Sequence, residues 1–110
     1  MARDTSDLLH GTLDLLVLKA LAVQPMHGFG LTKWIEQRTR DRIEIVDSAL
    51  YKALHRLEDS GAINAEWGVS ENNRKAKYYS LTPRGRQMLR EEMATWKRYV
   101  AAISHVLESA

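Results

Sequence analysis

A chain of 110 residues is one ordinary domain with room for a single, modest core. Its 45% hydrophobic and 27% charged residues are the balance of a soluble globular protein, and the lack of cysteine excludes disulfides and thiolate metal sites. A net charge of +2 with a pI near 9.0 points only weakly to an anionic partner, so the distribution of charge along the chain has to decide.

Residues 1–6 read as a polar leader, with Thr5 or Ser6 as the N-cap of a first helix running from about Asp7 to Ala22. Leu9, Leu13, Leu16 and Ala20 make one apolar stripe on it, and Leu8, Leu15, Leu18 and Ala22 make a second. A small domain uses one stripe for its own core, so the second is a first hint of a dimer. The run LDLLVLKALAV is broken by Asp14 and Lys19. It is too short to span a bilayer and lacks the basic lead-in and cleavage site of a signal peptide, so the chain is expected to be cytoplasmic.

Gln24-Pro25-Met26 ends that helix, because proline lacks an N–H and restricts the residue before it. A second helix is predicted from His27 or Gly28 to Thr39, with Leu31 and Ile35 inward and Phe29 and Trp34 as further packing residues. Gly28-Phe29-Gly30 resembles a fragment of a phosphate loop but lacks the third glycine and the preceding strand; it reads as a helix start that needs small residues. Ile43 to Val46 is read as a short strand leading into the third helix.

That third helix, SALYKALHRLEDSG, repeats Leu50, Ala53, Leu54 and Leu57 at i, i+3, i+4 and i+7, so one face is buried. Ser48, Lys52 and His55 point the other way, flanked by Tyr51 and Arg56. Asp47 or Ser48 can cap it, and Gly61 sits where a left-handed C-terminal cap is expected. Ile63–Trp67 and Tyr78–Leu81 then read as hairpin strands, with Ser70–Asn73 as the turn and Arg74, Lys75 and Lys77 at and just past its tip. Between Glu71 and Arg86 five cations stand against one carboxylate. Such a cluster is often just a solvated surface. Beside a helix face rich in hydrogen-bond donors it suits duplex DNA: a rod for the major groove and a cationic arm along it.

Thr82-Pro83 is a helix start, threonine as N-cap and proline in the first turn. The helical pattern continues to about Leu107, a length of about 37 Å. Leu89, Met93, Trp96, Val100, Ile103 and Leu107 recur at alternating steps of four and three, a heptad seam. The first turns can pack on their own domain; the later ones extend past anything a domain this small can cover, which predicts self-association. Catalysis has little support: His10, His27, His55 and His105 are scattered with no metal-ligand spacing, and no catalytic residue, metal or cofactor is expected.

The order helix, helix, short strand, helix, strand, strand is that of a winged helix-turn-helix, a mainly α fold of the α+β type. Residues 1–82 form the expected DNA-binding domain, and residues 83–110 a C-terminal dimerisation helix. The DNA-facing set is Ser48, Tyr51, Lys52, His55, Arg56, Arg74, Lys75 and Lys77. The alternative is a winged helix that binds another protein. The segments GTLDLLVLKAL, PMHGFGL, LYKALHRLEDSGAI and KYYSLTPRG, in this order, resemble the PadR family of bacterial transcriptional regulators in its short form with one C-terminal helix.

The resemblance implies a dimeric repressor on a pseudo-palindromic operator near its own gene or a transporter gene, with a transport- or stress-related regulon and release by a small molecule. It gives Tyr51 the role of the family's recognition-helix tyrosine, and Lys77, Tyr78 and Tyr79 that of its wing strand. Two departures bear on specificity. Asp47-Ser48-Ala49 stands where the family commonly has a small run such as Pro-Gly-Ser, and Lys52 stands where it often has proline. Trp96 carries two readings. It fills the dimer seam, or it stacks on a small planar ligand, as an aromatic at this point does in some short-form relatives; the first is preferred.

Overall fold

The computed structural model describes residues 11–110. Among them are four helices and three strands: α1 (Thr12–Val23), β1 (Met26–His27), α2 (Gly28–Arg38), α3 (Asp47–Asp59), β2 (Ile63–Val69), β3 (Lys75–Leu81) and α4 (Pro83–Leu107). The sheet is antiparallel throughout, ordered β1-β3-β2, with Met26 opposite Tyr79 and Ile63 opposite Leu81. The winged helix-turn-helix expected from the order of elements is the fold observed.

Three helices and the base of the hairpin enclose one core. Val17, Leu18, Leu31, Ile35, Leu50, Leu54 and Ile63 are its largest fully buried members. Burying each such side chain stabilises the fold by about 1.5–3 kcal/mol. Ala49, Leu50, Ala53, Leu54 and Leu57 all face inward from α3, so rotating this helix about its axis would expose leucine and bury charge. Its outward face is thereby fixed.

Four expectations are corrected. Leu18, assigned to the outer stripe of the first helix, is wholly inside the chain's own core, with Val17 and Leu21 beside it. Leu15 and Ala22 are partly buried against that core, so the second stripe is not the clean external face that hinted at a dimer. The expected cap at Thr5 or Ser6, together with Leu8 and Leu9, lies outside the described residues.

Ile43–Val46 is not a strand; Ile45 tucks inward and its N–H donates to the Glu36 carboxylate at 2.9 Å, so a side chain replaces the sheet partner. The third strand is Met26–His27, at the break after α1, where it pairs with β3. Finally, Phe29 is 67% exposed rather than packed, whereas Trp34 is half-buried against the core with Arg38 over its ring.

The hairpin and the last helix meet at one tight junction. Thr82 Oγ1 accepts from the Gly85 N–H at 3.0 Å, the expected N-cap of α4. The Thr82 hydroxyl also lies 2.9 Å from the Ala62 carbonyl, which accepts the Thr82 N–H at 3.0 Å. Gly61 just before it has φ 79°, the left-handed turn that ends α3. Leu89 is buried, and Met88 and Met93 pack on the core, so the first turns of α4 belong to its own domain. Beyond Met93 the helix leaves it: Trp96, Tyr99, Val100, Ile103, Val106 and Leu107 are all exposed.

Candidate nucleic-acid interface

The outward face of α3 presents Ser48, Tyr51, Lys52 and His55 to solvent, side by side. No side chain caps this helix: Val46 is the N-cap residue, and Asp47 opens the first turn, where a carboxylate complements the helix dipole. Tyr51 leans toward the start of α2, and Gly28 makes this approach feasible. A Cβ there would stand 2.6 Å from the Tyr51 hydroxyl oxygen.

Arg56 is placed differently from its neighbours. Its guanidinium forms a fork on Asp14 of α1, Nη2 to Oδ1 at 2.6 Å and Nε to Oδ2 at 3.3 Å. The hydrogen bond that it donates to Asp14 raises the Arg56 pKa above its ordinary value. Arg56 thus ties α3 to α1. Only its remaining N–H groups are available to another partner.

The wing extends past the core. Both strands run two or more residues longer than periodicity suggested, to Val69 and from Lys75, closed by a turn in which Ser70 N–H bonds the Arg74 carbonyl and Asn73 takes φ 58°. β1 pairs only with Tyr78 and Tyr79, so from Lys77 to the tip the wing is two strands with no third beside them. Arg74 and Lys75 are exposed there, and Lys77 is half-exposed. Lys75 Nζ sits 5.2 Å from the ring centre of Trp67, itself 64% exposed, and Lys77 Nζ lies 5.9 Å from that of Tyr79. Tyr79 is buried in the core, which pushes its phenol above the ordinary pKa.

Between the wing, Tyr51 of α3 and the start of α2 lies a cleft of about 600 Å3 lined by Phe29, Tyr51, Trp67, Lys75 and Lys77. Lys33 stands over the outer face of Phe29 at 5.3 Å. Sequence reasoning singled out the helix face and the wing cations but missed this cleft. Phe29 and Trp67 line it from positions 38 residues apart in the chain, and no local pattern marks them.

It also missed His27, which caps α2 by accepting the Gly30 N–H on Nδ1 at 3.0 Å and meets Glu71 of the wing turn at 3.1 Å. The Glu71 carboxyl is held below its ordinary pKa, first by a hydrogen bond from its own backbone N–H and then by His27.

Among the described residues no three His, Asp or Glu side chains gather to hold a metal ion, and no helix is long and apolar enough to cross a membrane. Trp96 and Tyr99 form an aromatic pair 6.4 Å apart on exposed α4, a second aromatic that the sequence reading had not placed beside Trp96.

Residues 17–91 match the sequence model of the Transcriptional regulator PadR-like family. The fold is similar to that of a transcriptional regulator from Clostridium thermocellum, with TM-score 0.83, 28% identity, and coverage of 91% of this chain and 97% of that one. It is also similar to a PadR family transcriptional regulator from Eggerthella lenta, with TM-score 0.80, 33% identity, and coverage of 94% and 88%. By sequence, 103 residues are 29% identical to an uncharacterised protein of Lysinibacillus sphaericus, spanning 94% of each chain.

Proposed function

The chain belongs to the PadR-like family of transcriptional regulators, and from that premise we propose that it is a homodimeric repressor acting on a pseudo-palindromic operator. One observation carries the reading: Tyr51 of the exposed α3 face and the wing cations Arg74, Lys75 and Lys77 line one cleft. In this arrangement α3 enters the major groove, where Tyr51, Lys52, His55 and Ser48 face base edges and nearby phosphates. Arg74, Lys75 and Lys77 lie along the backbone. Arg56 serves mainly to hold α3 against α1 through Asp14, with its free N–H groups toward phosphate.

The dimer reading is supported by Trp96, Val100, Ile103 and Leu107, which remain exposed on the far half of α4. Leu89 and Met93, counted with that seam in the sequence, pack mostly on their own domain and mark where the seam leaves it. Two copies joined along α4 would set two α3 helices about one DNA turn, roughly 34 Å, apart. Release by a small planar ligand is supported by the Trp96–Tyr99 pair, whose faces suit a flat, cationic molecule.

The direct experiment is a gel shift with the DNA upstream of the protein's own gene, over a range of salt. Binding that weakens steeply with salt and is competed by one pseudo-palindromic fragment supports the reading. Absence of binding at low salt to any such fragment, with a stable complex formed with another protein, would favour a winged helix that binds protein instead.

A further inference from the structure

His27 stands where three elements meet. Its backbone pairs in β1 with Tyr78, its ring caps α2, and the far side of the ring reaches the tip of the wing. The two hydrogen bonds fix its protonation pattern. Nδ1 accepts from Gly30, so in the neutral ring the proton sits on Nε2, which donates to Glu71 Oε1 at 3.1 Å. The ring has little freedom to leave this pose. Its side chain is 14% exposed, with Phe29 stacked beside it at 6.5 Å and Tyr78 edge-on at 5.2 Å.

The other end of the bond lies on a hairpin with little beside it. Beyond Lys77 the wing is a two-stranded ribbon with Trp67 and Val69 exposed, and a ribbon without a third strand or a core behind it is marginally ordered by itself. Among the described residues, the His27–Glu71 bond is the side-chain hydrogen bond that joins the wing turn to a helix. Glu71 is also oddly placed for a surface meant to meet DNA. It is 80% exposed beside Arg74, Lys75 and Lys77, where a carboxylate by itself opposes binding.

We infer that the His27–Glu71 contact is a latch that holds the wing turn at a fixed distance from α2, and so positions the wing cations for the DNA backbone. His27 and Glu71 are positioning residues in this account, which rests on the DNA-binding reading above. The latch makes a prediction about sign that electrostatics alone reverses. Removing a negative charge from a DNA-facing wing should tighten binding; removing a latch should loosen it, because the wing must then be ordered at the moment of binding. The loss cannot exceed the strength of the latch. For one side-chain hydrogen bond to an exposed carboxylate that is a factor of about two to five in affinity.

The experiment compares Glu71→Ala, Glu71→Gln and His27→Asn in the full chain by operator titration and by amide hydrogen exchange. Glu71→Ala is expected to bind DNA about twofold to fivefold more weakly than Glu71→Gln, which loses the same charge but keeps the latch. The amides of Ser70 to Arg74 should exchange faster in Glu71→Ala.

Glu71→Gln keeps the acceptor for Nε2–H, so it should retain wild-type exchange at the turn and bind at least as tightly as the wild type. His27→Asn keeps a residue type that caps α2 but is too short to reach Glu71. It should show the fast turn of Glu71→Ala with the first turn of α2 still protected. Glu71→Ala binding as tightly as Glu71→Gln or tighter, or a turn whose exchange does not change, would overturn the latch. Should the wild-type chain bind no operator at all, the repressor reading falls, and the exchange comparison by itself still upholds or overturns the latch.

Discussion

Replacing Gly85 by alanine should destabilise this protein, although the same change at an ordinary helical position does the reverse. Gly85 is the third residue of α4, where alanine is favoured over glycine by about 1 kcal/mol on propensity alone. Here a Cβ would lie 2.7 Å from Leu81 Cδ1 and even closer to the carbonyl oxygen of Ala62, which is backbone and cannot rotate away. That carbonyl already accepts from the Thr82 N–H, and the Thr82 hydroxyl is shared between it and the Gly61 carbonyl. Relief requires α4 to back off from the hairpin base, which costs about 1–3 kcal/mol as overpacking. Weakening the Thr82 cap adds about 1 kcal/mol. Net of propensity, the loss is about 1–3 kcal/mol, a sizeable share of a total stability of about 5–15 kcal/mol. Urea unfolding followed by tryptophan fluorescence, at one fixed protein concentration, should show the midpoint fall by about 1 M at a slope of about 1–3 kcal/mol/M. A midpoint equal to or above wild type would refute the claim that the Ala62 carbonyl closes this space.

The other expectations concern binding and assembly. Lys75→Ala should weaken operator binding about equally on all sequences and flatten its dependence on salt, whereas Lys52→Ala or His55→Ala should change the ranking of operators; titrations against a panel of fragments at two salt concentrations separate the two patterns. Ile103→Glu puts a charge into the exposed apolar stretch of α4 and should yield monomers by sedimentation velocity, while a dimer of unchanged strength would place the seam elsewhere. With Trp34 and Trp67 replaced by phenylalanine, a planar cation should quench the fluorescence of Trp96, and replacing Tyr99 by alanine should weaken that quenching at least twofold, the loss of one aromatic contact of about 0.5–1 kcal/mol.

Local grammar was legible in the sequence. Thr82-Pro83 predicted the start of α4 to the residue, Gly61 the left-handed turn, and the leucine spacing of α3 both its buried face and its exposed one. What escaped were features whose partner lies far along the chain. β1 is a two-residue strand, too short to show any period, and it exists because Tyr78 and Tyr79 lie across from it. Ile43–Val46 had the composition of a strand, yet Glu36 supplies the hydrogen bond that a neighbouring strand would have given. Arg56 looked as open as His55 until Asp14, 42 residues away, was seen to hold it. Leu18 was assigned outward because α1 is apolar on most of its surface, so its pattern does not single out one face.

The way α4 is held has a mechanical consequence. Its near end is clamped to the hairpin base through Thr82 and Gly85, while its far half stands clear of the domain. A stiff rod of roughly 37 Å fixed at one end is a lever: a tilt of about 5° at the clamp moves the tip by about 3 Å. Read in the other direction, a displacement of one side-chain width at the tip returns to the base as only a few degrees of rotation. Whatever grips the far half of α4 therefore sets the heading of the wing and of α3 with fine angular control. A small molecule wedged beside Trp96 would have its leverage there, far from the residues that face DNA.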